Sequence, residues 1–163
     1  MGISFTADEI FEMAEQIERS AAEYYREASR NSQGREIKQM LLDMSAMEEG
    51  HLETFEQMRK ELSGREKEQM IFDPDNQGAL YLQAMADSRG LEGRVSPTRK
   101  LTGNESIKEV LEIAIKAEKE SVVFYLSLKE LVPVRGGRDK VEKIIMEELS
   151  HINTLVNYLK DAA

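Results

Sequence analysis

Apolar residues recur along four stretches of this chain in alternating steps of four and three, the spacing of helices that bury one face. The first stretch reads Phe11, Ala14, Glu18, Ala21, Tyr25, Ala28, and the second Ile37, Leu41, Met44, Glu48, His51, Phe55, Met58, Leu62. The third is Ile107, Leu111, Ala114, Glu118, Ser121, Tyr125, Leu128, and the fourth Val141, Ile144, Glu148, His151, Leu155, Tyr158. Thr6 followed by Glu9 forms a capping box ahead of the first stretch, Ser63-Gly64 stops the second, and Thr102 is the expected cap of the third. The pattern predicts helices over about residues 7–30, 35–62, 105–131 and 139–160 within one domain of 163 residues. Residues 63–104 have a different texture, with Asp73-Pro74-Asp75-Asn76 and a Gly90/Gly93/Pro97 group around a short helix expected near 78–87. A connection of this length inside a compact domain needs a reason. Carrying the chain from one helical hairpin back along the bundle to start another supplies it. The expected fold is therefore all-α, a four-helix bundle with one long crossover.

The two hairpins repeat one another. At a constant offset of 100, Glu12 aligns with Glu112, Ala14 with Ala114, Glu18 with Glu118, Tyr25 with Tyr125, Glu48 with Glu148, His51 with His151 and Thr54 with Thr154. A duplicated hairpin folds into a pseudo-symmetric bundle in which matched residues face one another across the axis.

Composition narrows the chemistry. The net charge is -9, with 31 acidic residues against 22 basic ones, which argues against nucleic acid or an anionic membrane surface as partner. There is no cysteine, so thiolate catalysis, iron–sulfur clusters and rubredoxin-type sites are excluded from this sequence. No apolar run approaches the roughly 20 residues that span a bilayer, and a cytoplasmic location is expected.

Each seam is apolar until its glutamate, and each glutamate falls near the middle of its helix. Antiparallel helices of similar length are level at their midpoints, so Glu18, Glu48, Glu118 and Glu148 should meet in one slab of the core with His51 and His151. Four buried carboxylates cost several kcal/mol each unless they are compensated. No Lys or Arg interrupts the seams at that level. Two divalent cations would balance the four carboxylates, and Glu and His three apart share a helix face and can serve one ion or a bridged pair. One Glu from each of two helices, with Glu-x-x-His from each of the other two, is the donor pattern of carboxylate-bridged di-iron and di-manganese bundles of the ferritin-like type. A single Glu-x-x-His reads as a surface ion pair, but here both histidines of the chain carry Glu three residues before them. Carboxylate and imidazole donors suit iron, manganese and zinc alike. Tyr25 and Tyr125, two turns beyond Glu18 and Glu118, either serve the site by hydrogen-bonding a ligand carboxylate or relaying an electron, or are core aromatics with satisfied hydroxyls.

Glu18 with Tyr25, Glu48-Glu49-Gly50-His51, Glu118 with Tyr125, and Glu148-Leu149-Ser150-His151 resemble the rubrerythrin branch of the ferritin-like superfamily, over all four helices. The segment Tyr81–Ser88 is similar to the crossover of its stand-alone members, which lack a rubredoxin domain. The resemblance implies two iron ions at a non-haem site, reaction with peroxide or dioxygen, an external electron donor and a homodimer. It stops at Ser121, which stands where that family has an additional ligand glutamate, so ligand exchange through that position is not implied. Three functions fit the residues: a redox enzyme of peroxidase or ferroxidase type, iron oxidation with storage, and a non-catalytic assembly module with a structural di-metal site.

Overall fold

The structure is a computed structural model, and it describes residues 6–62, 64, 101–132 and 137–162. Four helices run through them: α1 (Ala7–Asn31), α2 (Arg35–Glu61), α3 (Ile107–Leu131) and α4 (Arg138–Asp161). The expected short helix near 78–87 and the body of the crossover lie outside the described residues.

Helix starts follow local chemistry. Thr6 accepts from the Glu9 amide while the Glu9 carboxylate takes the Thr6 amide, the capping box expected for α1. The start of α3 differs from expectation: its cap is Ser106, paired with Glu109, and the helix begins at Ile107 rather than near 105. Thr102 and Glu105 also fit the capping pattern, but Gly103 adopts φ 86°, which turns the chain out of a helical path. Thr102 and Glu105 instead close a turn of their own, with the Thr102 and Gly103 amides donating to the Glu105 carboxylate. Before α4, Gly137 has φ 98°, and a Cβ there would stand 2.9 Å from Met58 Cε, so that turn seats against the end of α2.

The helices form two antiparallel hairpins. Late in α2, Arg59 reaches back to the first turns of α1, with Nη2 2.8 Å from Asp8 and Nη1 3.1 Å from Glu15. Lys129 of α3 pairs with Glu142 of α4 at 3.5 Å. Across the hairpins, Tyr25 meets Glu118 and Tyr125 meets Glu18, so α1 and α3 are antiparallel. His51 beside Glu148, with His151 beside Glu48, makes α2 and α4 antiparallel too. It follows that α2 and α3 run parallel. The chain leaves α2 beside the start of α1 and enters α3 near its end, where the Tyr24 hydroxyl donates to Val110 O at 2.7 Å. The connection between them therefore joins opposite ends of the bundle, as in ferritin-like folds.

Two apolar layers fill the core, one around Phe11, Phe55, Phe124 and Val141, the other around Leu41, Met44, Leu111 and Leu155. Full burial of such side chains contributes about 1.5–3 kcal/mol each. Between the layers lies a polar slab.

Candidate metal centre

Each of Glu18, Glu48, Glu118 and Glu148 lies within two residues of its helix's midpoint. The helical period turns each one inward, along with His51 and His151 one turn after Glu48 and Glu148. All six are 1–4 % exposed, so water does not hydrate their charge.

Their arrangement has twofold character. His51 Nδ1 is 2.9 Å from Glu148 Oε1, 3.1 Å from Glu48 Oε2 and 3.6 Å from Glu18 Oε2. His151 Nδ1 is 3.0 Å from Glu48 Oε1, 3.1 Å from Glu148 Oε2 and 3.7 Å from Glu118 Oε1. Glu48 and Glu148 are thus common to both halves, while Glu18 with His51 and Glu118 with His151 close the two ends. The imidazoles face each other with ring centres 5.9 Å apart.

An imidazole nitrogen carries at most one hydrogen, yet each Nδ1 faces three carboxylates. Glu48 Oε1 and Glu148 Oε1 accept no hydrogen bond, although each lies near a histidine nitrogen. Such buried oxygens are costly unless something positive meets them. Among the ion pairs of the described residues, no Lys or Arg reaches these four carboxylates. Two overlapping groups of four donors meet the requirement: Glu18, Glu48, His51, Glu148 and Glu48, Glu118, Glu148, His151, the donor atoms of each within 4.8 Å of one another. The donors are oxygen and imidazole nitrogen, suited to divalent first-row metals. The cluster is able to bind metal.

The protein's own electrostatics show how unbalanced the carboxylates are. Burial, then the charge of Glu148, raises Glu18 well above the usual carboxylate range, and the same two causes push Glu118 up to about 8. Burial alone would lower the histidines, but the carboxylates of Glu148, Glu18 and Glu48 around its Nδ1 hold His51 far above its ordinary value. The carboxylates of Glu118, Glu148 and Glu48 likewise push His151 up to about 12. Glu148 is lowered despite burial and the charge of Glu48, because both histidines lie against its carboxylate.

Tyr25 and Tyr125, which the sequence leaves open between two roles, hydrogen-bond to the end carboxylates in crossed fashion. The Tyr25 hydroxyl donates to Glu118 Oε1 of the other hairpin, and Tyr125 to Glu18 Oε1. Burial, with the charge of those carboxylates, raises both phenols, which keeps them protonated as donors. Ser121 takes no part, since its Oγ donates to Ala117 O at 3.1 Å in its own helix. Two contacts escape the sequence pattern. Glu147 Oε2 is 2.9 Å from His51 Nε2, and Met47 Sδ is 3.4 Å from His151 Nε2. Positions 47 and 147 match in the repeat but differ in residue, so conserved pairing between hairpins does not pick them out.

The fold and these six donors define a class: a ferritin-like four-helix bundle with a buried Glu/His cluster able to bind metal. The profile of the Rubrerythrin family matches residues 9–159, and the chain belongs to that family. The fold is similar to the crystal structure of a candidate ferritin-like diiron-carboxylate protein from Thermotoga maritima, with a TM-score of 0.74 and 22% identity over 98% of both chains. A search of curated proteins returned no match. No helix among the described residues is long and apolar enough to cross a membrane.

Proposed function

We propose that this chain is a non-haem di-iron protein that reduces peroxide or dioxygen with electrons from an external donor. The observation that carries the reading is the pair of overlapping donor groups sharing Glu48 and Glu148, which favours two neighbouring ions over two separate sites. When bound, two iron ions would supply two electrons and Lewis acidity at one place. The residues supply the rest. Glu18 with His51 and Glu118 with His151 hold the two ends, and the crossed tyrosines orient the end carboxylates. Apolar layers above and below keep bulk water from the slab. Two surface grooves, of about 550 and 670 Å³, reach His51 and His151 between α2 and α4 and give small oxidants a short way in.

Loading the protein with Fe(II) without oxygen, counting the ions and then adding peroxide or dioxygen with a reduced donor tests this reading. Two ions per chain with oxidant-dependent turnover of the donor support it. Oxidation of excess Fe(II) into large particles would assign the site to iron storage instead. Bound metal without turnover would make it structural, and no bound metal would end the di-metal reading. His51→Ala and His151→Ala should each slow turnover well beyond any effect on melting temperature while at least one ion stays bound.

A further inference from the structure

The repeat that builds the centre is not carried through to its outer edge. Each histidine turns Nδ1 toward the carboxylates and Nε2 toward the residue that precedes the opposite hairpin's central glutamate. For His51 that residue is Glu147, at 2.9 Å, whose second oxygen lies 3.6 Å from Lys143 Nζ. For His151 it is Met47, at 3.4 Å from Sδ. In all else the halves agree closely: both histidines are 4 % exposed, and their three carboxylate distances match within 0.1 Å.

A carboxylate at Nε2 keeps the hydrogen on that nitrogen, fixes the ring and leaves Nδ1 as a stronger donor. A thioether is a weak acceptor and does little of this. Loss of such an outer partner typically weakens metal binding about 10–100-fold. Resting on the di-metal reading above, we propose that the two metal positions are unequal. The ion held by Glu18, Glu48, His51 and Glu148 binds first and about 10–100-fold more tightly than the ion held by Glu48, Glu118, Glu148 and His151. Glu147 is the positioning residue that acts through His51.

The chain has only two histidines, so a spectrum of protein labelled with ¹⁵N in histidine contains two ring systems, assignable from the single His variants. Zn(II) is added stepwise to the full chain freed of metal by chelation. The His51 ring should move to its bound position in the first equivalent and His151 in the second. Met47 is exposed and Glu147 is half-buried, so exchange should leave the fold intact. Met47→Glu combined with Glu147→Met should reverse the order of filling, which a merely structural effect would not do. Glu147→Gln, which keeps an acceptor without the charge, should narrow the gap without reversing it. Equal affinities in the wild type, filling of the His151 position first, or an order that the exchange leaves unchanged would overturn the inference while the di-metal reading stands. Failure to bind Zn(II) at all would overturn both.

Discussion

The two apolar layers and the carboxylate slab between them are built by the same four helices at the same helical period, yet they act on stability in opposite senses. Phe55, Leu41, Leu111 and Leu155 are fully buried and contribute by leaving water. Glu18, Glu48 and Glu148 are just as buried and lose their hydration with only the two histidines, and no Lys or Arg among the described ion pairs, to meet them. The difference shows that the layers hold the helices in register, and the register in turn forces the carboxylates together. Stability invested in the apolar layers sustains a site that the protein's own side chains do not balance.

The largest effect expected is at the residues both half-sites share. Glu48→Ala or Glu148→Ala removes a donor from each group and should lower metal affinity by more than the 10–100-fold typical of an outer partner. Elemental analysis after dialysis would read it, and retention of two ions would show that the shared carboxylates are not donors.

The layers respond differently. Phe55→Ala should destabilise the fold by about 3–5 kcal/mol with or without metal, as measured by chemical denaturation. A metal-dependent loss would mean that the layer and the slab are not separable.

Acidity sharpens the contrast. Glu118 titrates near 8 in the folded protein and far lower when unfolded, so its contribution to stability is full in acid and is lost as pH rises through 8. Raised Glu18, His51 and His151 act in the same direction. The metal-free melting temperature should therefore fall between pH 5 and pH 8, while the increment gained on adding metal should grow, because binding needs the donors deprotonated. Glu118→Gln still accepts from Tyr25 but cannot ionise, and it should flatten the metal-free decline. A profile as steep as that of the wild type would place the titration elsewhere.

The smallest effect tests a helix start far from the slab. Ser106→Ala should cost about 1 kcal/mol, and Thr102→Ala less, since only Ser106 caps α3. Equal losses would restore Thr102 as a cap.

Much of this was legible in the chain because helix periodicity and a duplicated hairpin are local signals. Mid-helix Glu18, Glu48, Glu118 and Glu148 in otherwise apolar seams, with a histidine one turn after two of them, point to one buried cluster before any coordinates are known. The start of α3 was less legible because two capping patterns stand in tandem, and only the backbone of Gly103 chooses between them. The sequence determined that the four glutamates and two histidines face the core, since that follows from the period of a single helix. Which residue meets which across the bundle was decided by tertiary structure alone. The crossing of Tyr25 to Glu118 and of Tyr125 to Glu18, and the placing of Glu147 on His51 and Met47 on His151, depend on how four helices are levelled and rotated against each other. Those quantities are set by the packing of whole layers, and no single helix encodes them.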